Sequence, residues 1–303
     1  HGGEAPTVTD ANVVLGLLGT GAALAGSIEL DAGAARDAVG GLGEQLGLGL
    51  RECAEGIRRV ANAEMVRALR VMTVERGVDP RDLALLAFGG AGPLHAVAIA
   101  EELGMTRILC PRASGVLAAL GLVVSERRRD AQRSVLLGGA ALTAEALREE
   151  IAALAERAGA GALRVRADLR YRGQAFELAV DTDPEPDPAD LRERFAAAHE
   201  RAYGYRDDDG DIELVTLRVT ATEPGPDVDA AAAGAAGAGA ETARRTAWFD
   251  GEEHEAQVIA GEPAPGTEVT GPAICELPEA TLAVPPGWAG RVEDSGTIRL
   301  ERA

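Results

Sequence analysis

The residue types able to do chemistry converge on one short stretch, Phe88-Gly89-Gly90-Ala91-Gly92-Pro93-Leu94-His95. Glycines at 89, 90 and 92 admit positive φ and leave the backbone bare, so another group can approach it closely. Pro93 suits the start of a helix, where the missing N–H costs nothing. Free amides and a helix N-terminus facing one point would hold a phosphate or a nucleotide. A tight strand–helix connection without a ligand would use the same residues. His95 falls in the first helical turn, where the helix dipole would lower its pKa and keep it neutral beside a ligand. There it is the candidate catalytic residue, an electrostatic or proton-transfer partner, and the plainer alternative is a histidine packed into the turn.

Other candidates are weaker. Asp10 and Asn12 follow Pro6-Thr7-Val8-Thr9 and read either as helix-cap residues or as ligand contacts. Glu64, on a long helix, faces either a nucleotide or solvent. The run Asp207-Asp208-Asp209-Gly210-Asp211 lacks the closing Glu of a calcium loop and reads as a solvated turn. No Walker A loop, G-x-S-x-G elbow, H-E-x-x-H or C-x-x-C is present. His1, His95, His199 and His254 are too scattered for a metal site, so none is expected. Cys53, Cys110 and Cys275 are odd in number and far apart, which fits reduced cytoplasmic thiols rather than a disulfide framework.

The elements that must position the glycine stretch follow from periodicity. Residues 83–88 form an apolar run of strand length and read as a buried strand, followed by a helix over 94–103 that ends at Gly104. A helix capped by Thr9 or Asp10 should run to Leu18, a second from Asp31 over 32–46, and a third over 51–76 with Gly77 as its C-cap. The third carries Ile57, Val60, Ala61, Met65, Ala68, Leu69 and Met72 at steps of three and four. After a strand over 107–110, residues 113–124 read as a helix rich in Gly and Ala, tolerable if a partner element or ligand comes close.

Residues 1–132 thus read as a β–α–β–α unit with helices before it, an α/β layer fold. Residues 133–223 read as an α+β region: helices over 142–158 and 190–203, and strands over 163–172, 175–180 and 212–222. Residues 224–244, rich in Ala and Gly, read as a linker or surface loop. Residues 245–303 read as a β-rich C-terminal cap, with strands over 256–259, 273–276, 281–284 and 297–300.

Hydrophobic residues make up 46% of the 303, enough for real cores, but aromatics only 3%, so packing must rest on aliphatic side chains. A net charge of −19 argues against a nucleic-acid surface. No apolar run approaches the ~18–20 residues of a membrane span, and no signal-peptide pattern is visible. The chain opens on His1 in a segment that reads like a protein interior, so a fragment is expected.

Several stretches together resemble one family, the ATP-dependent hydantoinase/5-oxoprolinase group with its acetone- and acetophenone-carboxylating relatives. They are Pro6-Thr7-Val8-Thr9-Asp10-Ala11-Asn12, Val74-Glu75-Arg76-Gly77-Val78-Asp79-Pro80-Arg81, the glycine stretch through Ala96, and Pro111-Arg112-Ala113-Ser114-Gly115 on to Gly121. Further matches are Asp168-Leu169-Arg170-Tyr171-Arg172-Gly173-Gln174, His199-Glu200-Arg201-Ala202-Tyr203-Gly204-Tyr205, Gly271-Pro272-Ala273-Ile274 and Val284-Pro285-Pro286-Gly287-Trp288.

The resemblance implies the second half of an actin-like lobe, as in Hsp70 and sugar kinases, with Phe88, Gly89, Gly90, Ala91, Gly92 and Pro93 as the adenosine-side loop. The small-residue helix would then pass close to its partner between lobes. It implies ATP and Mg²⁺ in the full-length subunit, a small cyclic amide as substrate (hydantoin, N-methylhydantoin or 5-oxoproline), and a second hydantoinase-type subunit as partner. Nucleic acid and membrane are not implied, and a homo-oligomer stays open. The glycine/threonine-rich phosphate hairpins of that fold have no counterpart here, so the chain is expected to be inactive alone. Glu64 stands where Asn is the more usual residue, which leaves the adenine-side contacts open. The competing expectation is a non-catalytic module that docks a partner subunit.

Overall fold

Thr7 starts the first helix, α1 (Val8–Val14), through a capping box: its hydroxyl accepts from the Asp10 amide, and the Asp10 carboxylate accepts from the Thr7 amide. The helix is shorter than the expected reach to Leu18, because the amides of Leu17 and Leu18 turn back to the Asn12 carbonyl. Asp31 caps α2 (Ala32–Leu46) by accepting from Gly33 and Ala34, as its position predicts. The long helix α3 covers Leu50–Met72, and a 3₁₀ turn, Val74–Arg76, closes on Gly77 at φ 75°. Its expected apolar stripe is only partly buried. Met65, Val66 and Leu69 pack into the core, whereas Val60 is 68% exposed. Nine residues separate Val60 from Leu69, which is half a turn round the helix.

The computed structural model describes residues 3–20, 29–227 and 239–303. It divides into two units, the described residues of His1–Gly121 with Val228–Ala303, and Leu122–Asp227. In the first unit, β1 (Leu85–Leu86) and β2 (Arg107–Cys110) are parallel neighbours joined through α4 (Gly92–Glu102). The expected buried strand over 83–88 is therefore a two-residue strand at a sheet edge. With a partner on one side only, Leu83, Leu86 and Phe88 stay exposed, while the Ala87 amide still donates to the Leu109 carbonyl.

The same unit holds β7 (Gly239–Phe249), β8 (Glu252–Glu262), β9 (Glu268–Thr270), β10 (Ala273–Leu277), β11 (Ala280–Val284), β12 (Trp288–Val292) and β13 (Ile298–Arg302). One sheet runs β1-β2-β13-β12-β9 and a second β11-β10-β8-β7. Residues 228–238 of the expected linker lie outside the described residues. Residues 239–244 are strand, held by pairing along the whole of β8. Nor do residues 245–303 stand apart as a cap: β13 pairs with β2, and Trp288, Ile298 and Leu300 share one core with Val97, Ala100 and Ile108. Long-range pairing of this kind leaves no local signal in the sequence. The buried Trp288 donates from Nε1 to Glu101 Oε1 at 2.9 Å. Trp288→Phe removes the pyrrole half of the buried indole together with that bond, and urea unfolding should show a loss of about 2–4 kcal/mol.

The second unit is an antiparallel sheet, β3 (Arg127–Gly138), β6 (Ile212–Glu223), β4 (Ala162–Tyr171) and β5 (Leu178–Thr182), in the order β3-β6-β4-β5. Helices over Ala144–Ala158 and Pro188–Tyr203 cover one face, burying Leu147, Ile151, Leu154, Leu191 and Phe195. The other face carries the exposed pair Arg164–Asp181 and the half-buried pair Arg218–Asp168. The α+β reading of this region holds, with β3 as a strand that the sequence analysis does not anticipate. The small-residue helix expected over 113–124 begins as a 3₁₀ turn, Ser114–Val116, before the helix Leu117–Val124.

Among the described residues no helix is long and apolar enough to cross a membrane.

Candidate nucleotide site

Three segments of the first unit meet at the carboxyl ends of β1 and β2. The loop after β1 carries Gly89 at φ 81°, and the Gly89 amide donates to the Ser114 carbonyl at 2.7 Å, in the turn after β2. The third segment is Glu279, in the short turn between β10 and β11. A Cβ on Gly115 would overlap the Glu279 Cβ and carbonyl oxygen, and one on Gly90 would lie 3.5 Å from that oxygen. On the other side the loop is open, since a Cβ on Gly89 or Gly92 would meet nothing within 4 Å. The amides of Gly90, Ala91 and Gly92 have no acceptor among the described residues. Adjacent parallel strands that end in such a crevice are where open α/β sheets take their ligands. Bare glycine, unpaired amides and the start of α4 fit a nucleotide.

His95 lies under this loop, buried, with Nδ1 2.7 Å from Asn62 Oδ1 on α3. An amide oxygen only accepts, so Nδ1 carries the proton and Nε2 is the free lone pair. Arg58, one turn earlier on α3, donates from Nη2 to the Leu94 carbonyl at 3.3 Å. Burial pushes the His95 pKa from 6.5 down to about 4, with the Arg58 charge adding to it. The expected neutrality is present, with desolvation its leading cause and the Arg58 charge the second.

The sign of the pH effect follows. Between pH 6.5 and 4 the unfolded chain binds a proton that the folded chain refuses. Stability is therefore full above 6.5, declines as pH falls, and levels near 4. Allowing for partial solvent access, the loss is about 2 kcal/mol. Urea midpoints measured from pH 7 to 4 should fall more steeply for the wild type than for His95→Gln; parallel curves would count against the assignment.

The other candidates lie apart from the loop in their bonding. Asp10 is engaged in its capping box. Asn12 is buried on α1, donates to the Val8 carbonyl, and has an Oδ1 without a partner among the described residues. Glu64 is exposed on α3 and paired with Arg67. Phe88 is exposed and Pro93 buried at the second position of α4. Sequence reasoning passed over Arg58, Asn62, Ser114 and Glu279. For Asn62 a signal existed, a polar side chain three residues before Met65 on the packed side of α3. Glu279 had none, being 189 positions from Gly90 in the chain.

Residues 1–131 match the hydantoinase/oxoprolinase family, and residues 140–303 match its C-terminal domain. The chain belongs to the hydantoinase/oxoprolinase family. An uncharacterised protein of Methanocaldococcus jannaschii is 35% identical across 99% of this chain, which spans 45% of that protein. The caprolactamase subunit alpha of Pseudomonas jessenii is 45% identical over 43% of this chain and 19% of its own length. A crystal structure of that organism's ATP-dependent caprolactamase superposes with a TM-score of 0.67 at 32% identity, over all of this chain and 47% of that one. Nucleotide-free acetone carboxylase superposes with a TM-score of 0.80 at 22% identity over the same shares, a likeness of fold. This hydantoinase/oxoprolinase chain thus spans less than half the length of these relatives.

Proposed function

We propose that this chain supplies the adenosine side of the nucleotide cleft in an ATP-dependent hydrolase that opens a cyclic amide. The observation that carries the reading is the glycine loop, backed at Gly90 by Glu279 and open over Gly89 and Gly92. Relatives whose names carry ATP dependence, caprolactamase among them, support it. ATP would phosphorylate the amide oxygen, or that of the tetrahedral adduct with water, and so make C–N cleavage favourable. The residues in hand bind and orient the nucleotide. Phe88, Gly89, Gly90, Ala91, Gly92 and Pro93 form the loop, and neutral His95 holds the start of α4 to α3. Mg²⁺ and most phosphate contacts would come from residues outside these, as the family resemblance implies.

In the full-length subunit with its partner, ATP hydrolysis should rise on addition of 5-oxoproline, hydantoin or a lactam, and Gly90→Val should remove the rise. Hydrolysis by the variant at the wild-type rate would refute the reading. The 303-residue chain alone should show no such activity.

A docking role for the second unit is the other reading. It rests on Phe176, Tyr203 and Tyr205, exposed large aromatic side chains in a chain of only nine aromatics. Relatives named as subunits of larger enzymes favour a partner subunit there.

A further inference from the structure

One face of α3 carries three polar side chains at steps of three and four, Glu55, Arg58 and Asn62. Each bonds to a different point. The Glu55 carboxylate accepts from the Gly251 amide at 2.8 Å, the Arg58 guanidinium donates to the Leu94 carbonyl at 3.3 Å, and Asn62 meets His95. Gly251 and Asp250 form the two-residue turn between β7 and β8, with φ of 83° and 51°. Asp-Gly is the favoured pair for a hairpin turn with both φ positive, so the tip is well defined and holds Asp250 in one place. Arg58 and Asp250 line one cavity of about 40 Å³ with Leu94, Glu101 and Pro285. Burial lowers the Arg58 pKa, the Asp250 and Glu55 carboxylates oppose that shift, and the guanidinium stays charged.

The glycine loop is fastened at its entry by the Gly89 amide on the Ser114 carbonyl. Its exit is the first turn of α4, which has no side-chain cap of its own, because Ala91 stands at the N-cap. Leu94 and His95 follow Gly92 and Pro93 directly, so two of the three bonds from α3 fall on that turn. We propose that Arg58 is a positioning residue for the nucleotide: its guanidinium, set against the β7–β8 turn, holds the Leu94 carbonyl and so fixes the direction of the Gly90, Ala91 and Gly92 amides. The assignment rests on the nucleotide reading of the glycine loop.

The test is isothermal titration of the full-length subunit with ATP for the wild type, Arg58→Lys, Arg58→Met and Trp288→Phe, each well below its melting temperature. Arg58→Met should bind ATP about tenfold more weakly, the weight of one hydrogen bond from a charged donor. Arg58→Lys keeps the charge without the planar fork and should fall between. Trp288→Phe loses stability in the same unit but acts through Glu101, at the other end of α4, and should bind ATP as the wild type does. With the partner subunit present, Arg58→Met should raise KM for ATP by the same factor and leave kcat at saturating ATP unchanged. Wild-type affinity in Arg58→Met overturns the assignment and leaves the loop as a nucleotide site. An equal loss in Trp288→Phe, or a fall in kcat with KM unchanged, overturns it too, since Arg58 would then serve general stability or the chemical step. If Arg58→Met does not fold, Arg58→Lys carries the comparison, and wild-type affinity in it overturns the assignment. No binding of ATP by the wild type overturns the nucleotide reading itself, and this assignment with it.

Discussion

Gly115→Val should cost the site both its shape and its ligand. A Cβ there overlaps backbone and Cβ atoms of Glu279, which cannot rotate aside, so either the 114–116 turn or the hairpin turn must move. The Gly89 amide is bonded to the Ser114 carbonyl, so the glycine loop moves with the turn. Overpacking of this kind costs about 1–3 kcal/mol, and ATP affinity should fall by tenfold or more. Gly92→Ala is the control: nothing lies within 4 Å of its Cβ and its φ is ordinary, so it should unfold like the wild type. Unchanged stability and binding in Gly115→Val would show that the three segments do not meet as described.

His199→Leu should destabilise the second unit by about 3 kcal/mol, read from urea unfolding. The ring is buried, with Nδ1 3.0 Å from the Tyr205 carbonyl and Nε2 3.0 Å from Gln174 Nε2. A carbonyl only accepts and an amide nitrogen only donates, so these contacts select a proton on Nδ1 and a lone pair on Nε2, which satisfies both partners. Tyr171, Phe195, Tyr203 and Tyr205 pack round it at ring separations of 4.7–5.7 Å. Leucine fills the volume but leaves the Tyr205 carbonyl and the Gln174 amide unpaired. A loss below about 1 kcal/mol would mean that solvent reaches those groups and the knot is loose.

His199 also shows what the sequence could and could not convey. The stretches 168–174 and 199–205 stand out in the sequence only through the family resemblance. The structure joins them, since Gln174 comes from one and His199 and Tyr205 from the other. Helix positions were legible where a cap and a periodic stripe coincide, as at Asp31 and over 32–46. The strand over 107–110 was legible because Pro111 stops it.

The glycine loop is legible in the sequence as a turn before a helix, because clustered glycines followed by proline mark one. Its backing by Glu279 is not, because a hairpin far along the chain provides it. The strand is shorter than the apolar run over 83–88 for a related reason. Apolar composition marks a strand but does not say how many neighbours it will have, and β1 has one. The burial that lowers the His95 pKa, and the Arg58 charge that adds to it, come from packing between α3 and α4 that no local pattern discloses.

The most direct measurement is isothermal titration of the full-length subunit with ATP, for the wild type and Gly90→Val. A Cβ at this position meets the Glu279 carbonyl at ordinary contact distance and the valine methyls reach further, so the melting temperature of the variant is measured beside its affinity. The nucleotide-site account predicts ATP binding by the wild type and at least a tenfold loss in the variant. Equal affinity in the two proteins, with the fold intact, would contradict it.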